Sequence, residues 1–269
     1  AGQFMWPSAI CISPDGRVFI SDEHLHKIMI FSEDGIFLEE WGKFGSAEGE
    51  LDTPSGITVS KDNELLVSDT YNDRIQVFTL SGTYLRSFGD VGESDTRLNM
   101  PWRLTEAPSG EVYVADWGND RVVKFNSRGE YVRHFGKAGS GEGEFIKPAS
   151  VAVDSLGRIY VCDWGNDRVQ LFDSEGRYVE RFMGDANLSK SALTYVLANQ
   201  SVLRRRDMTD LEQGKRLRSP IAVKVDEEFR LFICDGASHR IQVYKKEAYE
   251  LAEDEVAPLP PSPSLRNDA

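Results

Sequence analysis

Two stretches of the chain are identical over seven residues, DWGNDRV at 116–122 and again at 163–169. Each sets a carboxylate five residues ahead of a guanidinium, Asp116 to Arg121 and Asp163 to Arg168, with a tryptophan and a glycine between. Such a set can hold a ligand on the indole and the charges, or it can join one strand end to the next through a charged hydrogen bond. Metal chemistry would have to come from the histidines. His24 and His26 share one short stretch and His239 stands far off in sequence. Three imidazoles are a chemically sufficient zinc set. The three cysteines, Cys11, Cys162 and Cys234, make no disulfide framework. No Ser/His/Asp or Cys/His constellation can be argued.

The spacing of the aspartates identifies the elements that carry them. Asp116 and Asp163 are 47 residues apart, and steps of 47 backwards land on Asp69 and Asp22. The next copy is Asp235, one repeat plus 25 residues further on. A proline opens each unit (Pro7, Pro54, Pro101, Pro148, Pro220), and a large apolar residue stands three places before it (Phe4, Leu51, Leu98, Phe145, Leu217). Five residues after each aspartate comes a cation: Lys27, Arg74, Arg121, Arg168 and Arg240. Within a unit, four short runs rich in Val, Tyr and Phe are bounded by Gly, Pro, Asn or Ser, as strands joined by tight turns are. The middle runs are apolar on both alternating faces, so the sheet must be covered on both sides. The fourth run is more charged and suits an outer edge. A four-stranded sheet that cannot bury its own faces, repeated at this period, is a propeller blade.

The pattern of proline, apolar strand, DG turn, V-x-V-x-D-x-x-x-x-R-[IV]-x-[VL]-[FY], G-x-[FY] and FG resembles the NHL repeat over about residues 4–245. Unit one departs from it at EHLHK, and unit five at GASHR and in lacking a fourth strand. The resemblance implies an all-β fold, a six-bladed TolB-like β-propeller. Five repeats are visible, at about 7–42, 54–89, 101–136, 148–184 and 220–245, with a helical insertion at 185–217. Residues 1–246 are expected to form the propeller. Residues 247–269, acidic and then proline-rich, read as a disordered tail. GQF before Pro7 aligns with GEL before Pro54 and GEF before Pro148, so a blade is expected to precede residue 1; a five-bladed ring is the other reading. AGQFMWPSA has no charged region followed by an apolar stretch and does not itself read as a signal peptide; a signal peptide or a fused domain upstream of residue 1 stays open.

Five copies of one charged pair point to a structural staple. Asp22, Asp69, Asp116, Asp163 and Asp235 are expected to accept backbone N–H groups, and Arg74, Arg121, Arg168 and Arg240 to bridge to neighbouring loops. Gly118 and Gly165 are expected to supply positive φ in the turn. The variable positions beside the staple are the candidates for binding. Tyr71, Trp117 and Trp164 follow the aspartates on one face of the disc, either as a binding rim or as cover for the linkers. On the innermost strands most residues are small, but Arg103 and Lys224 are cations. Together they could hold an anion, or Arg103 could pair with Glu106. The insertion has leucines at helical spacing and ends in Arg204, Arg205 and Arg206; seven cations face three anions over 188–218. It reads as a docking helix or as packed decoration.

The net charge of −13 opposes binding of a polyanion by the whole body. No run approaches the roughly 18 apolar residues of a membrane span. The expected function is a non-enzymatic scaffold, monomeric and without a cofactor, that binds a protein or peptide on the rim face of linkers and second-to-third-strand loops. The resemblance also implies two alternatives. One is a metal-dependent lyase or hydrolase of the amidating-lyase or gluconolactonase kind, with His24, His26 and His239 as weak metal candidates. The other is RNA binding through the basic insertion.

Overall fold

Each copy of the repeat folds as an antiparallel sheet whose strands follow one another in chain order. The computed structural model describes residues 2–90, 92, 96–185, 194, 197–199, 201 and 214–245. The first blade is β1 (Pro7–Ile12), β2 (Val18–Asp22), β3 (Lys27–Phe31) and β4 (Phe37–Trp41). The second is β5 (Pro54–Val59), β6 (Glu64–Asp69), β7 (Arg74–Thr79) and β8 (Tyr84–Phe88). The third is β9 (Pro101–Glu106), β10 (Val112–Asp116), β11 (Arg121–Phe125) and β12 (Tyr131–Phe135). The fourth is β13 (Pro148–Val153), β14 (Ile159–Asp163), β15 (Arg168–Phe172) and β16 (Tyr178–Phe182). The fifth has three strands among the described residues, β17 (Pro220–Val225), β18 (Arg230–Asp235) and β19 (Arg240–Lys245).

The alternating apolar residues of the middle strands fill the spaces between blades. Every residue of β10, β14 and β15 is buried, whereas the outer strands β4, β12 and β16 are largely exposed. One core lies between each successive pair of blades. Ile28, Ile30, Leu51 and Ile57 join the first and second, and Ile75, Val77, Leu104 and Val114 the second and third. Val122, Phe145, Val161 and Phe172 join the third and fourth, and Cys162, Leu171, Leu217 and Ile233 the fourth and fifth. The apolar residue three before the proline is the linker's plug in these four cores: Leu51, Phe145 and Leu217 are 0–1% exposed and Leu98 3%, whereas Phe4, before the first blade, is 41% exposed. At the two ends of the series the same faces are uncovered among the described residues. Ile10 and Ile12 of β1 are 64% and 66% exposed, and Ile241 and Val243 of β19 are 63% and 52%.

A ring contact recurs at each blade boundary. An aromatic closing the fourth strand meets one on the third strand of the next blade: Trp41 with Phe78, Phe88 with Phe125, Phe135 with Phe172, and Phe182 with Tyr244, at centroid distances of 4.8–5.3 Å. The turn glycine of the next blade lies under that ring. A Cβ on Gly129, at φ +83°, would stand 2.5 Å from the Phe88 ring. Glycine is required there both for the left-handed backbone and for space.

The innermost strands share an irregularity after the proline. In β9, Leu104 pairs with Val114 and Pro101 with Asp116, so Trp102 and Arg103 both stand opposite Ala115. The same extra residue occurs after Pro7, Pro54, Pro148 and Pro220. Such a bulge re-aims side chains, and here its residues link neighbouring blades. Ser8 Oγ donates to Ser55 O (2.5 Å), and Ser55 Oγ donates to Trp102 O (2.5 Å). The inner strands approach so closely that a Cβ on Gly56 would lie 2.6 Å from Trp102 O.

In blades two to five the turn after the aspartate is one turn of 3-10 helix: Thr70–Asn72, Trp117–Asn119, Trp164–Asn166 and Gly236–Ser238. Positive φ falls on the residue that closes it, Asp73, Asp120, Asp167 or His239, and in the first blade on His26. This corrects the expectation for Gly118 and Gly165, which are not in the left-handed region. They are glycine for lack of room. A Cβ on Gly118 would stand 2.6 Å from Asn99 O, and one on Gly165 would stand 2.3 Å from Ile146 Cγ2. Within the insertion, Thr194, Leu197, Ala198 and Ser201 are helical. Most of 185–217, including Arg204, Arg205 and Arg206, and the whole of 247–269 lie outside the described residues.

Candidate binding face

The second-to-third-strand turns and the inter-blade linkers lie on one face because both join the same ends of the strands. In blades two to five the aspartate at the end of the second strand is 0–1% exposed and organises that face. One oxygen takes a linker N–H: Asp52 N to Asp69 Oδ1 (2.6 Å), Asn99 N to Asp116 (2.7 Å), Ile146 N to Asp163 (2.8 Å) and Arg218 N to Asp235 (2.7 Å). The other takes the arginine Nε, at 2.7–2.8 Å in all four blades. The rest of the guanidinium donates to carbonyls of the preceding linker. Arg168, for example, reaches Ser140 O, Gly141 O and Glu144 O.

Two further residues of the staple escape sequence reasoning. Asn72, Asn119 and Asn166 donate to the second carboxylate oxygen at 2.9 Å and also to a linker carbonyl. Gln76, Gln170 and Gln242 donate to the same oxygen at 2.9–3.1 Å and to the linker as well. The signal was present as R-I-Q-V at 74–77 and 240–243 and R-V-Q-L at 168–171. The next linker is held too. The carboxylate of the left-handed residue accepts from it: Met100 N to Asp73, Lys147 N to Asp120 and Ser219 N to Asp167, all at 2.6–2.7 Å. Every linker is thereby tied to both of the blades it joins. Burial pushes the carboxyls of Asp69, Asp116 and Asp163 up from the usual range, against the pull of their linker N–H, asparagine and arginine donors.

The first blade departs from this plan. Asp22 accepts Met5 N, Trp6 N, His24 N and Leu25 N, and Lys27 turns to Glu40 (2.5 Å) instead. His26 takes the place of the turn aspartate. Its Nδ1 accepts Thr53 N at 3.0 Å, and its ring stacks on Phe44 at 4.7 Å. That ring nitrogen is already committed to the linker. His239 is the left-handed turn residue of the fifth blade. Among the described residues no three of His, Cys, Asp and Glu gather as a metal set, so His24, His26 and His239 are not brought together.

The identical motifs diverge in exposure. Trp164 is 39% exposed and Tyr71 58%. Trp117 is half-buried, with Trp102 on it at 5.7 Å and Lys147 Nζ 4.7 Å from its ring centre. The residues one repeat beyond Trp102 and Lys147 are Ala149 and, after the insertion, Ser219, too small to cover Trp164. Linker residues extend the apolar surface. Phe44 is 62% exposed beside the second-blade turn, which Asn72 ties to Gly45 O, and Ile146 lies against Gly165 of the Trp164 turn. Trp102, missed in the sequence, also packs on the core of the fourth and fifth blades.

Arg103 does not pair with Glu106, which accepts Lys61 N (2.7 Å). Instead Arg103 Nη2 donates to Ser8 O (2.7 Å), passing over the second blade to the first. Burial pushes its guanidinium down from the usual range, against Cys162, Cys234 and Glu23, which raise it. Lys224 is exposed and lies within electrostatic reach of Cys11, so the two channel cations have different surroundings. Burial pushes the Cys11 thiol up to about 12 and Cys162 further still, which leaves both unreactive packing residues.

A family profile described as a 6-bladed beta-propeller matches residues 103–251, more than half of the chain, and one described as the NHL repeat matches residues 51–78. RING finger protein nhl-1 of Caenorhabditis elegans is 35% identical over 52 residues, 19% of this chain and 5% of that protein. Virginiamycin B lyase from Staphylococcus aureus superposes with a TM-score of 0.58 at 15% identity, covering 90% of this chain and 71% of that one. A chain of a Nidogen/Laminin complex gives 0.61 at 18% identity, covering 89% and 75%. At such identities the likeness is one of fold.

Proposed function

The chain belongs to the six-bladed β-propeller family, and on that premise we propose that it is a non-enzymatic scaffold, monomeric, that holds a protein or peptide on its linker face. The observation that carries this reading is the uneven exposure of one repeated position. The polar staple of the motif is consumed by the linkers, whereas Tyr71 and Trp164, with Phe44 and Ile146 beside them, leave apolar surface in water. Rigid aromatics offer large contact area at little cost in side-chain entropy. The half-buried Trp102–Trp117 pair, capped by Lys147, lies on the blade between them. The net charge of −13 favours a partner that is not a polyanion. No helix of the described residues is long and apolar enough to cross a membrane.

Selection from a displayed random-peptide library tests the reading. Enriched peptides are expected to lose at least tenfold in affinity for Trp164→Ala and Tyr71→Ala, while both variants keep the parent's unfolding midpoint. Peptides that bind the parent and both variants equally well would refute the proposal.

A further inference from the structure

Arg103 is a cation at the hub of the disc with too few acceptors. Its guanidinium touches the first blade through Ser8 O and lies within electrostatic reach of Glu23 on the first blade, Cys162 on the fourth and Cys234 on the fifth. A side chain on the third blade that senses three others stands near the axis. The β9 bulge puts it there, because two consecutive residues, Trp102 and Arg103, occupy the space opposite one residue of β10. A guanidinium has five N–H donors. Here the one to Ser8 O is its only hydrogen bond among the described residues, and Nε is buried with no partner at all. A buried donor left unpaired asks for an acceptor. Among the described residues Arg103 forms no ion pair within 4 Å, whereas Arg74, Arg121, Arg168 and Arg240 each hold an aspartate. The residue as a whole is part-buried, and it follows Pro101 at the linker end of β9.

We propose that Arg103 is the anchor for a carboxylate of the ligand, received at the mouth of the central channel with the indole of Trp102 beside it. This deepens the reading above and rests on it for the ligand's class, a peptide. A carboxylate suits the site better than a phosphate, because the Glu23 carboxylate nearby opposes each added negative charge and a carboxylate brings the fewest. A planar carboxylate also matches the fork of a guanidinium. Glu23 acts as the competitor. It is half-buried on the blade that Arg103 reaches and attracts the same cation without closing a bond to it.

Calorimetric titration tests the site with four probes: N-acetyl-phenylalanine for a terminal carboxylate, N-acetylglutamic acid α-amide for a side-chain carboxylate, N-acetyl-phenylalaninamide as the uncharged control, and inorganic phosphate. One of the two carboxylates is expected to bind at least tenfold more tightly than the amide, which identifies the source, and phosphate more weakly than that carboxylate. Arg103→Gln removes the preference. Glu23→Gln strengthens it several-fold and stays informative if the arginine variant does not fold. Equal affinity for acids and amide, phosphate as the tightest ligand, or an unchanged preference in either variant overturns the site. Loss of peptide binding in Trp164→Ala alongside equal affinity for acids and amide refutes the anchor alone. A carboxylate preference with peptides indifferent to Tyr71 and Trp164 refutes the rim alone.

Discussion

Asp163→Ala is expected to lower the unfolding free energy by about 3–5 kcal/mol, the cost of removing one partner of a buried ion pair. Four donors lose their acceptor at once: Ile146 N, Asn166 Nδ2, Arg168 Nε and Gln170 Nε2. Arg168 is itself 3% exposed, so its charge cannot turn to water. For a domain whose whole stability is of the order of 5–15 kcal/mol, that is a large fraction. Urea unfolding reads it as a fall in midpoint. The loss belongs to the stranded cation as much as to the missing carboxylate. Asp163→Ala combined with Arg168→Met is therefore expected to cost less than the sum of the single variants, the signature of direct coupling. A single-variant loss under 1 kcal/mol would mean that the motif does not hold the blade. Asp116→Ala should cost less than Asp163→Ala, because Val123 stands where the second, fourth and fifth blades have glutamine and one donor fewer is stranded.

Phe172→Ala should be nearly as damaging, about 3–5 kcal/mol, typical of deleting a buried phenylalanine. Phe172 is 1% exposed, and its ring meets Phe135 at 5.0 Å, Phe145 at 5.5 Å and Tyr178 at 6.2 Å. It therefore joins the third blade's outer strand, the linker plug and its own blade. The cavity would open in the wedge between two sheets, where the strands cannot close in without breaking their own ladders. Leu197→Ala, on the exposed helical stretch, is the matched control and should change stability by less than about 0.5 kcal/mol. Equal losses for the two would contradict a stability that resides between blades.

The repeat was legible because three equal intervals of 47 residues carry proline, aspartate and arginine in register. Strand order, the face shared by Trp117 and Trp164, and the exposed outer strands all followed from that register. The staple was legible as a charged pair, but most of its bonds go to linker carbonyls and amides, which carry no side-chain signature. Its glutamine was overlooked because Met29 and Val123 break the pattern in two blades, and its asparagine was read as a turn residue. His26 was a metal candidate because three imidazoles suffice for zinc; its alignment with Asp73 was the signal that it accepts a backbone N–H. The bulge at Trp102 and Arg103 could not be read from residue types, since it follows from pairing register. Trp117 and Trp164 sit in the same seven letters and differ in what covers them, Trp102 of the same blade and Lys147 of the next linker over the first, Ala149 and Ser219 at the matching places for the second.

The most direct measurement is native-state amide hydrogen exchange at the four linker residues whose N–H groups point at the aspartates: Asp52, Asn99, Ile146 and Arg218. If the repeated motif is a clamp on the linkers, these loop amides exchange as slowly as those of the buried middle strands, and all four to a similar degree. Exchange at the rate of exposed loops, with the middle strands protected, would contradict the clamp and return the motif to the ligand-binding candidates.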